Sequence, residues 1–139
     1  MNDSANIMQQ YVEAMNGHNI EKIRQLLHLK YSYTGGDGKR QEGIEAGVNV
    51  AAMYMSAFPD MKLEVKNTYT TGDIVVTEFI AKGTQMGRFM DVAPTGRQVI
   101  VPVCEVVECR DGKIFAEHEY SDTNILWHQL GVQPKQAKA

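Results

Sequence analysis

Cysteine is scarce in this chain, basic residues never cluster, and no long apolar run occurs. Each absence excludes something. Cys104 and Cys109 are the only cysteines, too few for a disulfide framework. Both fall in one strand-like run, where a five-residue separation spans roughly 16 Å, beyond disulfide reach. Free thiols of this kind fit a reducing, cytoplasmic setting. Lys39–Arg40 is the only adjacent basic pair and the net charge is −3, so there is no field for nucleic acid. No stretch approaches the roughly 20 apolar residues of a membrane span. The start, Met1 to Gln10, has neither the basic nor the apolar part of a secretory leader. Four histidines, His18, His28, His118 and His128, lack the close pairing of a metal site. No glycine-rich phosphate loop or nucleophile elbow is present. The reading is therefore of a protein without metal, cofactor, nucleic-acid or membrane partner.

What is present is ordinary globular composition, 43% hydrophobic and 22% charged over 139 residues. That length suits one domain, residues 1–131, with 132–139 as a polar, flexible tail. Such a domain buries roughly two-thirds of its unfolded surface, enough for a core and an internal cavity.

The first third has helical periodicity. Asp3 or Ser4 can cap a helix carrying Ile7, Met8, Tyr11, Val12 and Met15. Asn19 can cap a second with Ile20, Ile23, Leu26 and Leu27. A brief strand, Lys30 to Thr34, leads into the turn Gly35–Gly38, and a third helix is predicted from about Gln41 to Ala57, ended by Phe58-Pro59-Asp60. From Met61 the period becomes two, with strands over about 61–69, 74–85, 99–109 and 113–121. Asp111–Gly112 is a hairpin signal, and a short helix from Asn124 stops at Gly131. This order predicts an α+β fold: a cone-shaped, curved antiparallel sheet packed against three N-terminal helices, with a short C-terminal helix, forming an α+β barrel around a small-molecule pocket.

The last strand carries most of the candidate chemistry. Strict alternation points Ile114, Ala116, His118, Tyr120 and Asp122 one way, toward the cavity, and Phe115, Glu117, Glu119 and Ser121 toward solvent or a neighbouring subunit. A carboxylate, an imidazole and a phenol on one face can supply a base, a proton donor and a substrate contact. The alternative is that Asp122 caps the last helix while His118 and Tyr120 are plain sheet residues. A two-residue turn at Asp111–Gly112 sets Glu105 opposite His118; a three-residue turn with a bulge sets Cys104 there.

The segments Phe58-Pro59-Asp60, Gly83-Thr84-Gln85-Met86-Gly87, Pro94-Thr95-Gly96-Arg97, Asp111-Gly112-Lys113-Ile114, then Tyr120, Asp122 and Gln129-Leu130-Gly131, occur in an order that resembles the SnoaL-like polyketide cyclases. These share the nuclear-transport-factor-2-like superfamily with ketosteroid isomerase and scytalone dehydratase, an isomerase and a lyase. The resemblance implies a cofactor-free aldol ring closure with an aspartate as acid/base, a role that falls on Asp122, with His118 assisting. Tyr33, Gln85, Glu105, Tyr120 and Trp127 are then the expected substrate-binding residues. Family members often carry histidine where this chain has Gln85. The ligand implied is a small, largely apolar carbonyl compound, and the superfamily's habit of pairing implies a homodimer. A non-catalytic module holding a hydrophobic ligand in the same cone is the rival reading.

Overall fold

A computed structural model of the chain describes residues 3–132; the proposed tail lies outside them apart from Val132. Asp3 opens helix α1 (Ser4–Asn16) by accepting the Asn6 amide at 2.7 Å. One face of α1, with Ile7, Met8, Tyr11, Val12 and Met15, is buried as its spacing predicts. Its last residue ties it to the sheet: Asn16 donates to Leu63 O at 3.0 Å and accepts from Leu63 N at 2.7 Å. Helix α2 (Ile20–Leu26), capped by Asn19, runs straight into strand β1 (Leu27–Thr34), which is longer than its sequence pattern suggests.

The expected start of the third helix is corrected. Residues Arg40–Glu42 form a short strand, β2, antiparallel to β1, because the glycine turn folds the chain back onto Ser32–Thr34. Gly43, at φ 98°, makes the change from strand to helix α3 (Ile44–Ala57) in a conformation that side-chain-bearing residues rarely adopt. Strands β3 (Lys62–Thr71), β4 (Ile74–Thr84), β5 (Gln98–Arg110) and β6 (Lys113–Tyr120) follow as an antiparallel meander. Helix α4 (Thr123–Leu130) ends at Gly131, at φ 78°.

The sheet order is β2-β1-β6-β5-β4-β3, and β1 lies parallel to β6. The sheet is therefore mixed and open, with β2 and β3 as edges, rather than an antiparallel barrel. The α+β class is as predicted. A crossover through α3 and four strands, β2 to β5, returns the chain beside β1 in the same direction, which local periodicity cannot reveal. The buried apolar side chains form one continuous cluster from α1, α3 and the inner sheet face. Cys104 and Cys109 are both free, and among the described residues no helix is long and apolar enough to cross a membrane.

The α3–β1 contact sets the cavity wall. A Cβ built on Gly47 would lie 2.4 Å from Tyr31 Cε2 and 2.9 Å from Leu27 Cδ1, so the helix sits directly on the β1 side chains. Tyr31 is almost fully buried and cannot retreat. Gly47→Ala is expected to destabilise the fold by about 1–3 kcal/mol through overpacking, measured as a lower urea midpoint with an unchanged m-value.

Candidate active site

The hairpin between β5 and β6 decides which residues face inward. Asp111 and Gly112 both have positive φ, 53° and 73°, as a two-residue mirror-image turn requires, and Arg110 pairs with Lys113. Cys109 then pairs with Ile114, but Glu108 pairs with Ala116, so Phe115 is an extra residue in β6. This bulge overturns both predicted registers: Val106 lies opposite His118, and Glu105 opposite Glu119. The expected facing of the strand is corrected with it. Beyond Phe115 the inward positions are Glu117 and Glu119, while His118 and Tyr120 turn to the outer face.

The bulge has a visible anchor. The Arg110 guanidinium carbon lies 3.8 Å from the Phe115 ring centroid, and His28 meets the same ring edge-on at 5.3 Å. His28 also reaches Asp111 at 3.1 Å.

Inside the sheet is a cavity of about 750 Å³ lined mainly by apolar side chains from α1, α3, α4 and every strand from β3 to β6. Glu105, Glu117 and Glu119 project into it, and Glu105 and Glu117 are only 4% and 3% exposed. Tyr31 donates to Glu117 Oε1 at 2.6 Å and Tyr11 donates to the same oxygen at 3.1 Å. Tyr33 donates to Glu119 at 3.1 Å. None of the three glutamates takes part in an ion pair among the described residues. Lys82, which lines the cavity, instead donates to Glu64 at 2.9 Å. Thr77 lies opposite Glu105 in the sheet, and its hydroxyl is buried without a partner among the described residues.

The electrostatics follow from this placement. Burial, then the charge of Glu117 and a hydrogen bond shared with it, push the Glu105 carboxyl well above the usual carboxylate range. Glu105 therefore favours its protonated form. Glu119 is pushed up to about 7, by burial first and then by the Glu117 charge, with the Tyr33 hydrogen bond opposing. Burial also raises Tyr11, Tyr31 and Tyr33, which stay protonated donors. The site therefore holds a carboxyl that keeps its proton and a carboxyl that titrates near neutrality, an arrangement suited to acid/base work. Among the described residues no group of three or more His, Cys, Asp or Glu is arranged to hold a metal ion.

The residues expected from sequence are divided by the structure. Tyr33, Glu105 and Trp127 line the cavity. Asp122 is exposed and is not part of its lining; its carboxylate accepts the Asn124 amide at 3.0 Å and caps α4. Tyr120 is 58% exposed on the outer face, and His118 is half-buried there. Gln85 is fully buried outside the cavity lining, with both ends of its amide occupied. Its Nε2 donates to Gly87 O and Val92 O at 3.2 and 3.1 Å, and its Oε1 accepts from Thr95 N at 3.1 Å and Thr95 Oγ1 at 2.7 Å. Gln85 thereby folds the 86–97 loop that carries Phe89 to the cavity wall, where it packs against Tyr54, Phe58 and Trp127 with ring centroids 5.4–5.6 Å away. Sequence reading missed Glu117, Glu119, Tyr11 and Tyr31. The available signal was the pair of glutamates at alternate positions in an otherwise apolar-to-aromatic strand.

A family model described as SnoaL-like polyketide cyclase matches residues 5–130. The chain belongs to this SnoaL-like family. Solved structures agree. A candidate SnoaL-like cyclase from Jannaschia sp. CCS1 is 22% identical with a TM-score of 0.86, the alignment covering 94% of this chain and 93% of that one. IdmH, a candidate polyketide cyclase from Streptomyces antibioticus, is 28% identical with a TM-score of 0.81 over 94% and 100% of the two chains. A candidate polyketide cyclase from Pseudomonas putida is 17% identical with a TM-score of 0.84, over 93% and 98%. No curated protein matches the sequence. Against the SnoaL-like pattern, the segments that carry the resemblance are largely scaffold here. Gln85 folds the loop, Gln129 grips the Ile100 backbone at 2.6 and 2.9 Å, and Gly131 leaves room for the Arg97 guanidinium.

The raised Glu119 makes stability depend on pH with a definite sign. Its folded value near 7 lies above the ordinary glutamate value of 4.5, so between those limits the folded state binds more protons and stability falls as pH rises. The unfolding free energy is expected to decline from pH 5 to pH 8. Glu119→Gln should flatten part of that decline, read from urea titrations at several pH values.

Proposed function

We propose that this chain is an acid/base enzyme of cyclase or isomerase type, acting without a cofactor on a small, largely apolar carbonyl compound. The observation carrying this reading is the placement of Glu119, near-neutral and facing a mostly apolar cavity, beside the proton-holding Glu105. In its ionised form Glu119 takes a proton from the carbon next to a carbonyl, and the C–H electron pair becomes an enolate. The Glu105 carboxyl donates a hydrogen bond to the enolate oxygen. In a ring closure the enolate carbon attacks a second carbonyl of the same molecule, and the proton on Glu119 passes to the new alkoxide. In an isomerisation the same proton returns at another carbon. Either sequence balances with these groups alone.

The role that the resemblance gives to Asp122 competes directly with this one, and two variants separate them. Asp122→Asn is expected to cost about 0.5–2 kcal/mol of helix capping and leave most turnover intact. Glu119→Gln is expected to reduce turnover at least about 100-fold, the usual scale of general-base loss. The reverse result would return the base to Asp122. For the wild type, kcat/KM should rise as pH passes through about 7, since that parameter follows the free enzyme's groups, and the rise should disappear in Glu119→Gln. A ligand bound tightly but recovered unaltered from the wild-type protein would favour the non-catalytic reading.

We also propose a homodimer through the outer sheet face. Tyr69, Ile100 and Tyr120 leave 56%, 47% and 58% of their surface exposed there, a set of large apolar groups that a partner could cover. Sedimentation equilibrium at micromolar concentration should give twice the 15.6 kDa chain mass, and Tyr120→Lys should shift it toward the monomer.

A further inference from the structure

The charges lining the cavity favour one sign of ligand. Glu105, Glu117 and Glu119 face it from β5 and β6, and Asp37 faces it from the β1–β2 turn. The cations in its lining are Lys82, whose ammonium is bonded to Glu64, and Lys39 in the β1–β2 turn. Glu105 is 96% buried by the measure of its 4% exposure, and among the described residues no amide, hydroxyl or ammonium donates to it. The wall contributed by α3, α4 and the 86–97 loop is aromatic: Tyr54, Trp127 and Phe89. Aromatic faces and carboxyls without a cationic partner together are the two components that hold an organic ammonium group away from water. An anion would face repulsion from the β5 and β6 carboxylates that are ionised, and a neutral compound would leave the glutamates as they are.

We propose that the natural ligand of this cavity carries a cationic nitrogen on a largely apolar body, with the nitrogen seated between the glutamates of β5 and β6 and the aromatic wall. This rests on the same site as the proposed function and names its substrate class more narrowly. A cation placed there favours the ionised form of Glu119, so binding releases protons at neutral pH and strengthens as pH rises. The groups that act on Glu119 are Tyr33 from β1, Asp37 from the turn, Tyr54 from α3, Glu105 from β5 and Glu117 from its own strand. His118 and Asp122 are not in the cavity lining.

The test compares benzyltrimethylammonium, whose charge cannot titrate, with its uncharged carbon isostere neopentylbenzene and with the anion phenylacetate. Binding to the full chain is followed by ligand-detected NMR and by calorimetry in phosphate and in HEPES, which differ in ionisation enthalpy. At pH 8 the ammonium compound is expected to bind at least about tenfold more tightly than its isostere, a difference of about 1.4 kcal/mol. Phenylacetate is expected to bind more weakly than either. The preference should shrink between pH 8 and pH 5.5, with proton release visible as a buffer-dependent heat at pH 7. Glu119→Gln should weaken the ammonium compound while leaving neopentylbenzene unchanged, which shows that the cavity is still formed. Equal binding of the ammonium compound and its isostere, or no pH dependence in that comparison, would overturn the proposal. Cation preference in a protein that turns over no carbonyl compound would leave this inference standing and defeat the acid/base reading, so the two fail separately.

Discussion

Burying three carboxyl groups in one apolar cavity without a bonded cation is the constraint around which the rest of this molecule is arranged. A buried carboxylate left unpaired costs several kcal/mol even after relaxation, a large part of the total stability of a domain this size. The chain meets that cost with phenol donors and with a Glu105 that favours its neutral form, instead of ion pairs. Tyr11 comes from the first helix, Tyr31 and Tyr33 from the first strand, and all three end on glutamates more than 80 residues away in sequence. These contacts fix where α1 sits, why β1 lies parallel beside β6, and why α3 must carry a glycine where it crosses Tyr31. Burial and the Glu117 charge then divide labour among the carboxyls: Glu117 accepts from two phenols, Glu105 keeps a proton, and Glu119 is left to titrate.

Much of the fold can be read from local pattern. The helical face of Ile7, Met8, Tyr11, Val12 and Met15, the caps at Asp3 and Asn19, and the Asp111–Gly112 turn are all short-range signals, and each is where its chemistry puts it. Two features are not local. The parallel β1–β6 pairing joins residues about 85 apart, and nothing in either segment states its partner. The bulge at Phe115 depends on a stacking of Arg110, Phe115 and His28 that brings together β1 and both strands of the hairpin. Because strand faces alternate with period two, that single extra residue exchanges the inner and outer sets along the rest of β6. A reading based on strict alternation therefore selects His118 and Tyr120 and passes over Glu117 and Glu119.

Family likeness and chemical site are also separable here. The positions that carry the SnoaL-like resemblance do mechanical work: Gln85 folds a loop over four hydrogen bonds, Gln129 docks α4 on β5, and Asp60 holds the end of β4 through Thr84. These side chains hold a loop, the last helix and a strand end of this chain in place without entering the cavity. The residues facing the cavity are drawn from the intervening strand positions, where the fold demands only that a side chain fit. A scaffold held by peripheral polar staples is free to vary its cavity chemistry, which is how one architecture comes to serve several reactions.

The cavity glutamates make the strongest case that this site is functional, and the case is energetic. Replacing a buried charged group by a well-packed apolar one of similar volume is often neutral or stabilising by about 1–4 kcal/mol. A core selected for stability alone would fill the space between β1, β5 and β6 with leucine or valine, as it does one layer deeper at Val75, Val107 and Ile114, all fully buried. The glutamates begin where that packed layer ends, and the tyrosines that support them have their hydroxyls committed to the carboxylates. An arrangement that gives up stability to hold one proton tightly and another near neutrality gains the fold nothing. Its return has to come from what enters the cavity.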